Sequence, residues 1–140
     1  MRPYTVGKLM SLINRIGQRE LAEALKPHGI GGGGQHSYLK AILANPGMNQ
    51  DKLTGEVKLD KATTTRCIQQ LEDAGYVMRT VDTEDRRSYR LYPTERAIAF
   101  EPVLQSILDA YNRRLTSNLS SREVEALHAL LHKVYAGLDA

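Results

Sequence analysis

The stretch Leu59-Asp60-Lys61-Ala62-Thr63-Thr64-Thr65-Arg66-Cys67-Ile68-Gln69-Gln70-Leu71-Glu72-Asp73-Ala74-Gly75, followed by Tyr76-Val77-Met78-Arg79-Thr80-Val81, changes its period at the glycine. Before it, Thr64, Ile68 and Leu71 recur at helical spacing with Cys67 beside them, so they share one buried helix face. Asp60 stands where an N-cap is needed, and Gly75 where a left-handed residue ends the helix. The opposite face carries Lys61, Thr63, Arg66, Gln69 and Gln70. After Gly75 the pattern is that of a strand from Tyr76 to Val81. Asp82-Thr83-Glu84-Asp85-Arg86-Arg87 is a charged turn, Ser88–Tyr92 a second strand, and Pro93 its end. A polar-faced helix therefore runs directly into a hairpin with a long charged tip.

Upstream, residues 4–26 read as an amphipathic helix with Val6, Leu9, Ile13, Ile16, Leu21 and Leu25 on one stripe, stopped by Pro27 and Gly29. Gly31–Gly34 reads as slack. It is not a phosphate loop, because no strand precedes it and no Lys-Ser/Thr follows. A second helix spans about Gln35–Ala44, with Tyr38, Leu39, Ile42 and Leu43 on its apolar face. Asn45-Pro46-Gly47 is a turn, and Asn49 is placed to cap a short helix near 50–56. Downstream, Thr94 can cap a helix reaching about Ser117, with Ala97, Leu104, Leu108, Tyr111 and Leu115 as its stripe and a kink expected at Pro102. Ser120-Ser121-Arg122-Glu123 is a capping box for a last helix, about 121–137, apolar at Val124, Leu127, Leu131, Val134 and Leu138.

The chain has 140 residues, 41% of them hydrophobic, with no Trp and one Phe, so a core of Leu, Ile, Val and Ala is expected. The formal net charge is +3, and its cationic excess lies in residues 1–50. A nucleic-acid face in the balanced middle segment must come from placement rather than bulk charge. The single cysteine, Cys67, excludes an internal disulfide framework and a zinc ribbon and fits a reducing cytoplasm. No signal peptide pattern opens the chain, and no apolar run has membrane-spanning length.

The order of elements gives the fold class. It is mainly α with a small β-hairpin wing: a winged helix-turn-helix over 35–93, flanked by helical segments 1–34 and 94–140. The recognition helix is expected at about 60–74 and the wing at about 76–93. The terminal helices carry apolar stripes that a chain of this size cannot cover internally, and a homodimer buries them most simply.

Several segments resemble the MarR/SlyA family. Asn45-Pro46-Gly47-Met48-Asn49-Gln50-Asp51-Lys52-Leu53 resembles the family's entry into the helix-turn-helix, and Leu59 to Arg66 the start of its recognition helix. Leu71-Glu72-Asp73-Ala74-Gly75-Tyr76-Val77 resembles the step into the wing. Asp82 to Arg87 with Thr94-Glu95 resembles the wing signature, and Leu119-Ser120-Ser121-Arg122-Glu123 with Leu127 and Leu130-Leu131 the last dimerisation helix. The resemblance holds one register over nearly the whole chain. It departs at Lys58, where a glycine is usual, at Pro93, which replaces a strand-ending aliphatic residue, and at Thr64, which replaces a typical Val.

The resemblance implies a transcriptional regulator, with repression as the usual outcome, acting as a homodimer on a pseudo-palindromic site in double-stranded DNA. Lys61, Ala62, Thr63, Thr65 and Arg66 lie on the exposed first part of the recognition helix, where side chains reach phosphates and base edges. Arg66 and Gln70, one turn apart, are candidate base readers, and Gln69 lies beside them. Arg86 and Arg87 at the hairpin tip suit a narrow minor groove. The resemblance implies that Asp85 orients an arginine there, and Arg90 is placed at phosphate or beneath the wing. Family members commonly bind a small phenolic or aromatic carboxylate effector, and Lys8, Arg15, Arg19, His36 and Tyr38, with Arg90, are residues able to line such a pocket.

Three other readings start from particular residues. A winged helix can dock a protein instead of DNA, although the Thr63, Arg66 and Arg86 set is not needed for that. Cys67 raises a redox-responsive regulator, but it has no resolving partner and lies on a buried face. Glu125, His128 and His132 raise a metal-responsive one, with further ligands from His28, His36 or a second subunit needed to complete a zinc site. No nucleophile–base set, metal motif or cofactor loop is present, so neither catalysis nor a cofactor is expected.

Overall fold

In the computed structural model, which describes residues 4–139, the order is α1 (Val6–Leu25), a 3-10 turn (Lys26–His28), α2 (Gln35–Ala44), β1 (Met48–Asn49), α3 (Gln50–Val57), α4 (Lys61–Asp73), β2 (Val77–Val81), β3 (Tyr89–Pro93), α5 (Glu95–Leu115) and α6 (Ser121–Leu138). Packing divides these residues into two compact units, with the boundary inside α5, after Leu108.

The capping chemistry read from the sequence is in place. The Asn49 side chain accepts from the Asp51 and Lys52 amides, Asp60 from that of Thr63, and Thr94 from that of Ala97. Ser120 and Glu123 close a capping box. Thr5 caps α1 by accepting from the Lys8 amide, so that helix starts at Val6 rather than at residue 4. Pro102 lies inside α5.

In the first unit Leu39, Ile42, Leu53, Ile68, Leu71 and Leu91 are fully buried, joining α2, α3, α4 and β3 around one core. That core is not purely aliphatic, because Tyr38 and Tyr76 are its largest buried side chains. The Tyr76 hydroxyl donates to the His28 carbonyl, and its ring lies beside Phe100 with centroids 5.5 Å apart. Tyr76 therefore belongs to the core between α4 and β2 rather than to the strand.

The hairpin is part of a three-stranded antiparallel sheet in the order β1-β3-β2. β1 pairs Met48 with Leu91 and Asn49 with Arg90, and Val77 faces Pro93 across β2 and β3. Pro93 thus closes β3 as its last residue. β1 has two residues and so no period to read, which is why the sequence shows only two strands.

The Gly31–Gly34 segment is not slack. Ile30 before it and Gln35 after it are buried, Gly31 N–H donates to the Gln35 side chain, and the Cys67 thiol points at the Gly33 carbonyl, 3.5 Å away. Gly33 and Gly34 adopt positive φ, which lets the chain turn tightly against α4.

Two backbone positions make opposite predictions. Gly47 has φ +87°, donates to Leu91 O at 2.7 Å, and leaves little room for a Cβ, which would meet the Tyr92 ring at 3.3 Å. Lys58, at the turn between α3 and α4, is the non-glycine residue with positive φ among the described residues, at 60°. A left-handed conformation costs an L-residue about 1–2 kcal/mol. Gly47→Ala is expected to lower unfolding stability by at least about 1 kcal/mol, while Lys58→Gly raises it by less than about 1 kcal/mol after the added unfolded-state entropy. Urea denaturation of both variants checks the pair of signs.

Candidate nucleic-acid interface

The recognition segment starts at a well-built helix end. Asp60 accepts from the Thr63 amide at 2.7 Å and the Thr63 hydroxyl at 2.9 Å, and these bonds hold its carboxyl below the usual range. Thr63 is therefore committed to the cap. Lys61, Ala62, Thr65 and Arg66 are exposed, with the Thr65 hydroxyl turned back to the Lys61 carbonyl at 3.0 Å. The amides and dipole of a helix start favour an anion such as phosphate.

Beneath that surface Thr64 is fully buried, and its presence in place of an aliphatic residue has a physical account. Its hydroxyl lies 3.0 Å from the Tyr38 hydroxyl and 3.0 Å from that of Thr54, and it donates to the Asp60 carbonyl at 3.1 Å. Thr64 thus ties α2, α3 and α4 together at the level where the exposed residues begin. A valine would leave the buried Tyr38 hydroxyl without this partner.

Both glutamines of α4 are engaged. Gln69 donates to Asp73 at 2.9 Å and accepts from Arg79 at 3.2 Å. Arg79, on β2, also makes a two-point bond to Glu72 at 3.1 Å and lies 4.8 Å from the centre of the Tyr89 ring, so the strand is fastened along the helix. Gln70 accepts from the buried Gln35 at 2.5 Å.

The wing is organised from its root. Asp82, 3% exposed, accepts from the Glu84 amide at 2.9 Å, the Asn49 amide group at 2.6 Å and the Arg90 guanidinium at 3.3 Å. The Glu84 N–H is the largest influence, followed by Asn49, and the carboxyl is lowered to about 2. Arg90 also donates to the Gly47 carbonyl at 3.3 Å. It therefore sits beneath the wing, as a brace. At the tip Asp85 accepts from the Arg87 amide at 3.1 Å and from its guanidinium at 3.3 Å. The arginine held by Asp85 in this structure is thus Arg87. Arg86 is exposed and has no hydrogen-bond or ionic partner among the described residues.

Two further residues, Asn49 in its second role and Arg96, were not marked by sequence reasoning. Asn49 caps α3 with its oxygen and holds Asp82 with its nitrogen. Arg96 at the start of α5 donates to Ala74 O at the end of α4 and to His28 O, and lies 4.4 Å from the centre of the Tyr76 ring. Positions Gly29 and Gly75 face the Arg96 side chain, where a Cβ would come within 3.6 Å of it. No local motif announces either contact, since each joins residues distant in sequence.

The effector candidates differ in what surrounds them. Tyr38 is wholly buried with its hydroxyl on Thr64, and burial raises its pKa, so it is a core residue and offers no polar group to a ligand. At 3.6 residues per turn, Lys8, Arg15 and Arg19 fall within roughly 40° of one another on one face of α1. All three are exposed, and Arg15 donates to Ser11 on its own helix. His36 is half-buried, its pKa lowered by burial and by Lys40. A shallow concavity of about 110 Å³ is lined by Lys40, Leu43, Ala44, Glu101, Leu104 and Gln105, none of them a candidate. That volume is well below the ~300 Å³ at which small-molecule sites start.

Cys67 is buried and its thiol is pushed up by burial, the reverse of what a reactive thiolate needs. The His128 and His132 rings meet edge to face on α6 with centroids 4.5 Å apart, and no group of three or more metal-ligating side chains is present among the described residues. None of the described helices is long and apolar enough to cross a membrane.

These elements define a winged helix-turn-helix protein. Comparison with known proteins then gives the family. Residues 34–89 match the MarR family model. The uncharacterized HTH-type transcriptional regulator YybA of Bacillus subtilis (strain 168) is 33% identical over 106 residues, which span 76% of this chain and 71% of the relative. A MarR transcriptional regulator from Methanosarcina mazei Go1 superimposes with a TM-score of 0.86 at 37% identity over 96% of each chain. A putative MarR family transcriptional regulator from Listeria monocytogenes, crystallised with a 26mer DNA, shares the fold with a TM-score of 0.85 at 24% identity, over 96% of this chain and 89% of that one. The chain belongs to the MarR family. Its relatives are transcriptional regulators, not enzymes.

Asp82 yields a pH prediction with a definite sign. Its folded pKa lies below its unfolded value of about 3.9, so its contribution is fully present above that value and is lost as pH falls toward about 2. Asp60 shifts in the same direction and adds to the same acid limb. Urea midpoints between pH 5 and pH 2 are expected to fall for the wild type. Asp82→Asn is expected to start lower at pH 5 and to show a flatter limb. An equally steep limb in the variant contradicts this assignment.

Proposed function

We propose that this chain is a homodimeric, sequence-specific binder of double-stranded DNA that represses transcription from a pseudo-palindromic operator. The winged domain, 35–93, carries the DNA face, and the helices of 1–34 and 94–140 carry the dimer contacts. In this reading α4 lies in the major groove with Lys61, Ala62, Thr65 and Arg66 forward, and the Arg86 tip enters the adjacent minor groove. Thr63 acts through the Asp60 cap, Asp85 and Arg87 shape the tip, and Arg90 holds the wing's root. The two recognition helices of the dimer then lie about 34 Å apart, one turn of duplex.

The observation that carries this reading is the pairing of a free helix face with a free arginine. Arg66 and Arg86 are exposed and make no hydrogen bond or salt bridge among the described residues, Arg66 being only within electrostatic reach of Asp60, while the cations around them, Arg79, Arg87 and Arg90, are tied to carboxylates. Free cations beside fastened ones are what phosphate and groove contacts require. The same fold was crystallised with DNA in the Listeria protein. The dimer is supported by uncovered apolar faces. On α1, Val6, Leu9, Met10, Ile13 and Ile16 are 44–68% exposed, and on α6, Leu127, Leu130, Leu131, Val134 and Tyr135 are 37–60% exposed. An exposed apolar stripe on a helix marks an interface.

Duplexes selected from the source genome test the reading. Affinity is expected to fall steeply and linearly on a log–log plot against salt, with two chains per site. Arg66→Ala is expected to cost about 1–3 kcal/mol and to relax sequence preference. Arg86→Ala is expected to weaken binding mainly on sites with a narrow, A·T-rich minor groove. Binding that ignores salt and both substitutions overturns the proposal and favours a protein-docking wing.

A further inference from the structure

Resting on the DNA-binding reading above, a chain of hydrogen bonds fixes which way one glutamine of α4 faces. Gly31 N–H can only donate, and it donates to the Gln35 side chain at 3.1 Å, so the atom there is Gln35 Oε1. Gln35 therefore presents Nε2 to its other neighbour, and that nitrogen donates to Gln70 at 2.5 Å. The atom of Gln70 that receives it must be Oε1. Amide orientations are often ambiguous, and here a backbone donor removes the ambiguity for two side chains in succession.

The chain is built into the fold. Gln35 is 5% exposed, and a Cβ at Gly31 would lie 2.8 Å from Gln35 Nε2, so the position must be a glycine for the amide to rest there. Gln70 itself is exposed, one turn beyond Arg66 on the same flank of α4. Its Nε2 has no partner among the described residues. The neighbouring Gln69 differs, with its oxygen and nitrogen both held, by Arg79 and Asp73.

We propose that Gln35 is a positioning residue that makes Gln70 a donor-only reader of the major groove, selecting guanine at one step of each half-site. A free glutamine pairs with adenine through one acceptor and one donor. Oε1 keeps a second lone pair, but its bond from the buried Gln35 turns it toward the protein, so the two N–H groups of Gln70 are what it presents outward. Guanine offers two adjacent acceptors, O6 and N7, and takes both. Cytosine offers a donor in the groove and is rejected.

Binding-site selection from a randomised duplex library with the full-length protein tests this, alongside thermal melting as a check of folding. The wild type is expected to enrich guanine at one position per half-site, and Gln70→Ala to lose that preference while keeping the rest of the site. In Gln35→Glu the carboxylate still accepts from Gly31 but cannot donate. Gln70 must then turn its nitrogen inward and its oxygen outward, and preference at that position moves from guanine to adenine or cytosine, by about fivefold or more. An unchanged guanine preference in folded Gln35→Glu overturns the proposal. Should that variant not fold, Gly31→Ala displaces the same amide without new charge, and a broadened preference supports the coupling while an unchanged one overturns it. Sensitivity to Arg66→Ala with indifference to Gln70→Ala overturns this inference alone. No selected sequence for the wild type overturns it together with the DNA reading.

Discussion

The Asp82 carboxylate is the point on which the wing depends. A loop of seven residues, 82–88, joins β2 to β3, and most of its side chains are charged. Such a loop has no apolar reason to adopt one shape. Asp82 supplies one by accepting from its own loop at Glu84, from β3 at Arg90 and from Asn49 at the head of α3. Because Asn49 uses its other atom to cap α3, one side chain adds to the β1–β3 ladder in fastening the hairpin root to the helix-turn-helix. The tip that projects from this root is therefore aimed, though its arginines are exposed.

The same economy appears on α4. Its outward face is polar, but the polar groups are sorted by what holds them. Thr63 serves the Asp60 cap, Thr64 joins three helices through a buried hydroxyl network, and Gln69 is pinned between Asp73 and Arg79. Ala62 and Arg66 at the front remain free. Side chains held by several partners lose little further entropy when they meet a partner, which favours a surface already shaped for binding. Arg96 extends this order to the far end of the helix by gripping the Ala74 carbonyl from the start of α5.

Much of this was legible in the sequence because it is local. Asp60, Asn49, Thr94 and the Ser120/Glu123 pair were readable as caps, since a cap is decided within four residues. The change of period at Gly75 announced the step from helix to hairpin. What escaped was decided by contacts between distant segments. β1 is too short for a period, and it exists because Leu91 and Arg90 offer it a ladder. The glycine run reads as slack until Gln35 and Cys67 are seen against it. Tyr38 has the chemistry of a ligand contact, but only the fold shows its hydroxyl facing Thr64. Asp82 looks like one more charge in a charged turn, and nothing local distinguishes it from Glu84 or Asp85. The apolar stripes of α1 and α6 are legible as surplus from the sequence, because such a surplus is a matter of composition and chain length.

A double-mutant cycle between Asn49 and Arg90 tests the central claim most directly. Their side chains share no hydrogen bond with each other; each is bonded to Asp82. Asn49 and Arg90 also stand opposite one another on β1 and β3, so the cycle is run with and without Asp82. If the carboxylate joins them, Asn49→Ala and Arg90→Ala will be non-additive in unfolding free energy, well beyond the ~0.5 kcal/mol scatter of independent sites, and most of that coupling will vanish in an Asp82→Ala background. Additivity within that scatter, or coupling that survives the loss of Asp82, would mean that the β1–β3 ladder alone holds the wing to the helix-turn-helix and that Asp82 does not bind them.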